Sequence, residues 1–422
     1  MKRYDSYKDS GVEWIGEIPS HWKLMTNKYF TKSQKNKSEF GDEVLLSVSE
    51  YQGVIPRRNI REGEEHLSRS ESLVGYLKVR KGELVSNIML MWKRGLGVSE
   101  HEGIVSPSYS VFSFKKSEPK YFHYLYRTDQ YVSEFRRNST GVIESRLRLY
   151  DDSFGSLKSH FPPLPEQQQI VSFLDTKTSL IDSLIEKTQR KIELLKEKRT
   201  SLINEVVTKG LNPNVEMKDS GVEWIGEIPR DWKSKRFSYS INIQKGKIPK
   251  NLTDEQLVDS LPYLSMGVLR GDEPLEFSNE SGVVKVSKGD IGLLWDGSNS
   301  GEVIRINREG ILSSTVSLLS LKDNSLDKEF SFYLLKFYEK DFRENTIGMG
   351  IPHVSGDHVR ESKLIIPPLP EQQQIVEYLD EQTQLIDNTI SIEEKRIELL
   401  KEYRQSLISE VVTGKLKVTT DE

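Results

Sequence analysis

The stretch PPLPEQQQIV occupies residues 162–171 and returns unchanged at residues 367–376. After the prolines of each copy, residues 166–208 and 371–413 contain no Gly or Pro. The first run ends as KIELLKEKRTSLINEVVT and the second as RIELLKEYRQSLISEVVT. Pro165 stands where a helix begins and a missing backbone N–H is tolerated. Glu166 then places a carboxylate at the positive end of the helix dipole. The same residues recur in the second copy, so the sequence predicts two long, related helices.

Apolar side chains follow a heptad repeat along both runs for about five heptads. In the first run, positions a and d are Val171, Leu174, Thr178, Ile181, Ile185, Thr188, Ile192, Leu195, Arg199, Leu202 and Val206. In the second run they are Val376, Leu379, Thr383, Ile386, Ile390, Glu393, Ile397, Leu400, Arg404, Leu407 and Val411. At ~1.5 Å per residue each helix forms a rod of about 65 Å. We expect an antiparallel coiled coil that acts as a spacer; a helical hairpin inside one globule is the alternative.

A second repeated block precedes each of the two variable regions. KDSGVEWIGEIPSHWK covers residues 8–23 and KDSGVEWIGEIPRDWK covers residues 218–233. Its tryptophans, Trp14 and Trp224, have two interpretations: they cover apolar surface of their own domain, or they anchor a partner, as aromatic residues often do at interfaces. The offsets between repeats make the chain two copies of one plan of about 205–210 residues.

The variable regions between these blocks contain short apolar or alternating runs bounded by Gly, Pro and charged residues, which are typical of strands. The predicted strands are Val44–Val48, Ile88–Trp92, Tyr109–Phe114, Ile291–Trp295, Glu302–Ile306 and Val316–Leu321, and the predicted helices are Tyr121–Tyr131 and Phe330–Tyr338. We therefore expect an α+β fold: two globular domains formed by the variable regions and separated by two long antiparallel coiled-coil helices, in a pseudo-two-fold internal repeat. The predicted segments are 1–23 (repeated block), 24–161 (first domain), 162–216 (helix and linker), 217–233 (repeated block), 234–366 (second domain) and 367–422 (helix and tail).

Charge differs between the variable regions, although the 422-residue chain has a net charge of only −4. Residues 23–160 hold 23 Lys and Arg against 17 Asp and Glu, whereas residues 233–363 hold 18 against 19. Local positive charge attracts phosphates, and Lys, Arg, Ser and Asn in loops suit base edges. The candidate DNA contacts are Lys32, Lys35, Arg57, Arg58, Lys93, Arg94, Arg146, Arg148, Lys245, Lys247, Lys250, Ser298, Asn299, Ser300, His353 and Arg360. Each basic cluster could equally be a solvated face.

Several classes of site have no support in the sequence. Cys is absent, which excludes disulfides, thiolate metal sites and cysteine nucleophiles and fits a reducing compartment. We find no phosphate-binding GxxxxGK[ST] loop, no His/Cys metal spacing and no GxSxG nucleophile motif. A membrane-spanning apolar run and a secretory signal are also missing, so we expect a cytoplasmic protein without a metal site or cofactor of its own.

The doubled PPLPEQQQIV and KDSGVEWIGEIP blocks, with the helices ending in Glu-Val-Val-Thr, resemble the specificity (S) subunit of type I restriction–modification enzymes. Residues 95–99 (GLGVS) and 103–109 (GIVSPSY) are similar to the same family. The resemblance implies a non-catalytic subunit. Its two variable regions would be target recognition domains, and each would read half of a bipartite, asymmetric site in double-stranded DNA.

The same resemblance implies partners: two methylation subunits that carry S-adenosylmethionine, and two restriction subunits that use ATP and Mg. Candidate partner contacts are Trp14, Trp224, Glu166, Gln167, Glu371 and Gln372. Two other functions stay open at this point. A stand-alone DNA-binding regulator would bind DNA tightly without partners, and a coiled-coil adaptor would have no role on DNA.

Overall fold

A computed structural model describes residues 2–50, 52–57, 72–143, 146–348 and 350–418. The chain divides into two compact units. Unit 1 comprises Met1–Gln189 and Glu394–Glu422, and unit 2 comprises Arg190–Glu393. Both divisions fall inside long helices, so each unit contains one variable region, one repeated block and a part of both helices. The finer division into six segments stays a prediction.

Unit 1 contains short strands, short helices and part of each long helix. The strands are β1 (Tyr7–Asp9), β2 (Glu17–Pro19), β3 (Lys23–Thr26), β4 (Thr31–Gln34), β5 (Leu46–Ser49), β6 (Gly53–Pro56), β7 (Leu77–Val79), β8 (Leu84–Asn87), β9 (Leu96–Val98), β10 (Gly103–Val105), β11 (Tyr109–Phe114) and β12 (Lys158–Phe161). The helices are α1 (Asn27–Phe30), α2 (Pro119–Leu125), α3 (Asp129–Arg137), α4 (Asp151–Ser156) and the start of α5 (Leu164–Lys209).

The main sheet of unit 1 has the antiparallel order β4-β11-β8-β9, and β3 pairs with β12 where the variable region begins and ends. Its largest core is rich in aromatic side chains, among them Trp22, Tyr121, Phe122 and Phe135. Residues from both long helices complete this core, so the variable region and the helices of unit 1 share one hydrophobic interior.

Unit 2 repeats this arrangement. Its strands are β13 (Met217–Asp219), β14 (Glu227–Pro229), β15 (Lys233–Arg236), β16 (Ile241–Lys245), β17 (Leu261–Leu264), β18 (Phe277–Ser278), β19 (Lys285–Val286), β20 (Ile291–Leu294), β21 (Val303–Arg305), β22 (Gly310–Leu312), β23 (Val316–Leu321), β24 (Thr346–Ile347), β25 (His353–Val354) and β26 (Lys363–Ile366). Its helices are α6 (Phe237–Ser240), α7 (Met266–Arg270), α8 (Lys328–Glu344), α9 (Gly356–Glu361) and the start of α10 (Leu369–Val412).

The sheet β16-β23-β20-β21 of unit 2 matches β4-β11-β8-β9 of unit 1 in order and direction. A second sheet, β18-β17-β22-β19, contains the parallel pair β17–β22. One pairing shows which residues of the two main sheets are equivalent: Leu84 faces Phe112 in unit 1, and Ile291 faces Leu319 in unit 2. Each residue of the second pair lies 207 positions after its counterpart in the first pair. The same offset relates the loops that leave these strands.

The predicted seam between the long helices is confirmed. In unit 2, Lys191 lies 2.6 Å from Glu393, and Arg199 lies 3.0 Å from Asp387. As the residue number increases along α5, the number of the paired residue decreases along α10, so the two helices are antiparallel. In unit 1 the equivalent ion pair joins Arg404 to Asp182 at 2.9 Å. The polar heptad entries Thr178, Thr188, Thr383 and Glu393 are all buried.

The structure confirms some of the predicted strands and helices and corrects others. The strands expected at residues 109–114 and 316–321 are found with those bounds. The strand expected at residues 88–92 is wrong, because the strand ends at Asn87 and Met91–Lys93 forms a 3-10 turn. A single helix expected over residues 121–131 is two helices, α2 and α3.

Candidate nucleic-acid interface

Gln167 of α5 and Gln372 of α10 each join their long helix to the start of a helix in the variable region of the same unit. The side-chain oxygen of Gln167 accepts the backbone N–H of Glu118 at 2.9 Å, and its amide donates to the carbonyl of Pro162 at 2.8 Å. Gln372 repeats both bonds, with the N–H of Asp327 at 2.7 Å and the carbonyl of Pro367 at 2.8 Å. Both side chains are buried. Their prediction as partner contacts is therefore wrong, because their polar atoms are already used inside the fold.

A tyrosine–aspartate pair makes a second repeated joint. Tyr124 of α2 donates to Asp175 of α5 at 2.6 Å, and Tyr333 of α8 donates to Asp380 of α10 at 2.6 Å. Burial and the hydrogen bond to the carboxylate raise the pKa of both phenols to about 12, so both stay protonated donors at neutral pH. The variable region of each unit is thus held to its helix by the same chemistry.

The carboxylates at the helix starts also bond within the chain. Glu166 accepts from Tyr4 at 2.7 Å and contacts His21 at 2.8 Å. Glu371 accepts from the indole N–H of Trp232 at 2.9 Å. These contacts hold the repeated block against the helix in each unit, and the role of both carboxylates toward a partner stays a prediction.

The tryptophans of the repeated block lie on their own units. Trp14 packs edge-on against Tyr131 with ring centroids 5.1 Å apart. Trp224 packs against Phe337 at 5.1 Å, and 48% of it is exposed. The structure thus shows the covering role, while the exposed part of Trp224 leaves the partner role as a prediction.

Three loops of unit 2 bring several predicted DNA contacts together. The N–H of Gly297 donates to the carbonyl of Pro352, and the N–H of Val354 donates to the carbonyl of Trp295. The basic loop after β16 is fixed by Gly246, where a Cβ atom would lie only 2.2 Å from the carbonyl oxygen of Ser313. Backbone contacts thus define this surface.

Asp296 lies at the centre of this surface and was missed by the sequence analysis. Its carboxylate accepts from Lys245 Nζ at 2.9 Å and lies 2.6 Å from His353 Nδ1. Burial alone would raise the pKa of Asp296, but hydrogen bonds from Lys245 and His353 outweigh burial and lower it. Cations and small polar loop residues were predicted as DNA contacts, and this acid was not, although its place between an apolar strand and a Gly-Ser turn was a usable signal.

The equivalent surface of unit 1 is built from different side chains. A guanidinium nitrogen of Arg148 lies 3.9 Å from the sulfur of Met89. Trp92 is flanked by two cations, with Lys93 4.8 Å and Arg136 5.3 Å from the ring. This surface therefore presents guanidinium and ammonium groups that lie over a buried aromatic ring, and the cations suit a polyanion.

The remaining predicted DNA contacts divide by exposure. The exposed ones are Lys32, Lys35, Arg57, Arg146, Lys247, Lys250, Ser298 and Arg360, and Asn299 is half-buried. Arg94 pairs with Asp129 and donates to the carbonyl of Arg127 at 3.1 Å, while 36% of its side chain stays exposed, so its role on DNA stays a prediction. Ser300 is buried, and the structure contradicts its prediction as a DNA contact because its hydroxyl is enclosed by the protein. Arg58 lies outside the described residues.

A separate apolar stripe lies on the outer face of α10. Tyr378, Leu385, Ile392 and Leu399 are spaced by seven residues, and their exposed fractions are 37%, 55%, 68% and 55%. They occupy position c of the heptad, away from the a and d seam. Along α5, Leu180 and Leu194 occupy the same heptad position with 63% and 49% exposed. Apolar side chains at this spacing are typical of a face that meets another helix.

The described residues give no sign of two other kinds of site. Among them, no group of three or more His, Asp and Glu side chains is placed to hold a metal ion. Within the same ranges, none of the helices is both long enough and apolar enough to span a bilayer.

Comparison with known proteins places these features in a family. A family model described as the type I restriction modification DNA specificity domain matches residues 98–194 and 229–402, which is more than half of the chain. The chain belongs to this family. The match covers the C-terminal part of the first variable region, the whole of the second, and most of both long helices.

Curated relatives and solved structures agree with this assignment. Residues aligned to the type I restriction enzyme MjaVIII specificity subunit of Methanocaldococcus jannaschii are 37% identical, over 44% of this chain and 43% of that subunit. The MjaIX specificity subunit of the same organism is 23% identical over 96% of this chain and 95% of its own length. The HsdS subunit from Thermoanaerobacter tengcongensis shares the fold, with a TM-score of 0.56, 16% identity, and coverage of 94% and 98%. A structure from a study of assembly of the type I R-M system gives a TM-score of 0.72 at 17% identity, covering 94% and 99%.

Proposed function

We propose that this chain is the DNA sequence-recognition subunit of a type I restriction–modification complex. Each unit would read one half of a bipartite, asymmetric site, and the paired helices would join the two readers. The observation that carries the proposal is the duplication itself: the same sheet, glutamine joint and tyrosine–aspartate pair support two surfaces that differ in chemistry. A symmetric site would not need two different readers.

The reading surfaces would act through charge and shape. Lysines and arginines near the loops of unit 1 supply the phosphate attraction on which DNA affinity rests. Unit 2 has no excess of positive charge over its variable region, so we propose that it makes fewer phosphate contacts of its own. Its loops of Lys, Ser, Asn and His supply groups that can bond to base edges.

The chemistry of modification would lie on partner subunits. We propose that this chain is non-catalytic, and that S-adenosylmethionine, ATP and Mg bind two methylation and two restriction subunits in the cytoplasm. The sequence lacks a phosphate-binding loop, which supports an ATP site elsewhere. The proposed division makes this chain the part that selects where the partners act.

The apolar stripe on α10 is our proposed docking face for a methylation subunit. Exposed Leu, Ile and Tyr side chains every seven residues match the face that a partner helix would cover. Changing Leu385 to Glu places a charge in the stripe and should weaken assembly at least ten-fold, measured by analytical ultracentrifugation of the mixed subunits. Gln384→Glu is the matched control, since it adds a similar charge at an exposed neighbouring position. Equal assembly of both variants would reject this face as the docking site.

The proposal as a whole is tested by co-expression with methylation subunits and sequencing of methylated DNA. We expect one bipartite consensus with two different halves separated by unspecified bases. A stand-alone regulator would instead bind a specific site in gel shifts without any partner and leave the methylation pattern unchanged. That result would replace the proposed function with the alternative.

A further inference from the structure

Three residues at the reading surface of unit 2 have structural equivalents in unit 1 that differ in chemistry. In unit 2 they are Lys245, Asp296 and His353, called here the Asp296 triplet. The strand registers place Met89 at the position of Asp296, because both follow equivalent residues of β8 and β20 at an offset of 207. The bond from the N–H of Leu149 to the carbonyl of Ile88 repeats the bond from Val354 to Trp295.

The unit 1 counterpart is therefore Lys35, Met89 and Arg148, called here the Met89 triplet. Lys35 occupies the position of Lys245, since the residues before them, Gln34 and Gln244, pair with equivalent residues of β11 and β23. The lysine is common to both triplets. The other two positions change together, from a thioether beside a guanidinium to a carboxylate beside an imidazole.

The Asp296 triplet fixes how His353 is presented. The Asp296 carboxylate can only accept, so Nδ1 of His353 carries the proton and donates across the 2.6 Å contact. Asp296 and His353 also form a β-bridge, which aligns the two residues through their backbones. In the neutral imidazole the opposite ring nitrogen, Nε2, is then an acceptor, on a side chain that is 47% exposed. Lys245 offsets the charge of Asp296 at 2.9 Å, so the acid adds little repulsion toward a polyanion.

We propose that these triplets are specificity-determining sites that read one base pair in each half of the DNA target. His353 accepts from the exocyclic amino group of adenine or cytosine, and Arg148 donates to the acceptor edge of guanine. Asp296 is a positioning residue, because it acts on the DNA through His353. The inference rests on the proposed function and adds the residues that discriminate.

The chemistry explains why the two positions change together. An arginine donates with all of its N–H groups, so the neighbouring residue need only let it extend, as the thioether of Met89 does. A histidine can donate or accept, and which it does depends on the partner of its other nitrogen. The carboxylate of Asp296 accepts a hydrogen bond from Nδ1 and so fixes where the proton lies, whereas the thioether of Met89 would not fix it.

The test uses the full chain assembled with methylation subunits and DNA libraries randomised at each target position. We expect His353→Arg to shift the preference at one base pair of one half-site from an amino-bearing base to guanine. Asp296→Asn should reduce discrimination at that same base pair by about ten-fold, the size of one lost base contact. Arg148→Gln should alter one base pair in the other half-site.

Asp290→Asn is the matched control. Asp290 precedes the same strand, β20, accepts from Lys328 at 2.8 Å and has a pKa that is likewise lowered, but it lies at the opposite end of the strand. We expect this variant to leave every base preference unchanged. His353→Gln tests presentation without disturbing the fold, because the side chain is exposed, and it should retain part of the preference for an amino-bearing base.

The outcomes separate the inference from the function beneath it. If the wild-type complex shows a bipartite site and the His353 variants leave both halves unchanged, the triplet is not a reading site and the proposed function stands. If the wild-type complex shows no bipartite preference, the proposed function itself fails. If Asp296→Asn and Asp290→Asn change the same preferences equally, the effect is structural and the positioning role is rejected.

Discussion

The two units share a frame, which is the main sheet together with the glutamine joint and the tyrosine–aspartate pair, and they differ at their exposed surfaces. The glutamine joint and the tyrosine–aspartate pair are identical in residue type and nearly identical in length. At the reading surface, by contrast, Met89 and Arg148 of unit 1 stand where unit 2 has Asp296 and His353. The difference teaches that the contacts which orient the variable region are repeated, while the side chains that meet solvent are free to change.

A second difference lies inside the frame. Trp232 donates to Glu371, whereas the indole N–H of Trp22 is buried without a hydrogen-bond partner among the described residues. In unit 1 the equivalent carboxylate, Glu166, is taken by Tyr4 and His21. The same block and helix therefore meet through different bonds.

The largest expected effect comes from breaking the frame. Gln372→Leu removes the partners of a buried N–H and two carbonyls, and should lower the free energy of unfolding by about 3 kcal/mol. Gln167→Leu should cost a similar amount in unit 1. The matched controls are Gln373→Leu and Gln168→Leu, since both neighbours are exposed. Urea denaturation followed by circular dichroism measures all four, and a loss no larger than that of the controls would show that the joint does not stabilise the frame.

A smaller effect should distinguish the units by pH. Burial and the nearby charge of Lys415 lower the pKa of His160 to about 3, from an ordinary value of 6.5. Below pH 6.5 the unfolded chain binds a proton that the folded chain rejects, so stability falls as pH drops toward 3, by up to about 1.4 kcal/mol per pH unit. The equivalent residue in unit 2 is Ile365.

Hydrogen exchange at pH 7.5 and 5.5 checks this prediction. After correction for intrinsic exchange rates, the protection of β3 and β12 should fall more than that of β15 and β26. His160→Ile is the control that should reduce the difference, because it installs the residue of unit 2. Part of the difference should remain, since burial also lowers the pKa of His123 in unit 1 to about 3. An unchanged difference in that variant would show that His160 is not its source.

Repeats and patterns predicted the frame well, and the surface poorly. The heptads located both helices and their polar layers, since a buried seam repeats every seven residues. The bounds of β11 and β23 were also predicted, because each is a short apolar or alternating run. Gln167 and Gln372 were misassigned because an exposed and a buried glutamine look alike in sequence. Ser300 was misassigned because the direction of a loop side chain depends on the fold. Asp296 was missed because an acid is an unfavourable neighbour for DNA phosphates. The two residues that offset its charge, Lys245 and His353, lie 51 positions before it and 57 after it, so the sequence does not show them beside it.

The most direct test of the central claim exchanges one variable region. Residues 24–161 are replaced by the corresponding region of another family member, and the methylated sites of the assembled complex are sequenced before and after. If each unit reads independently from a shared frame, one half of the bipartite site changes and the other half stays the same. A change in both halves, or in neither, would contradict the account.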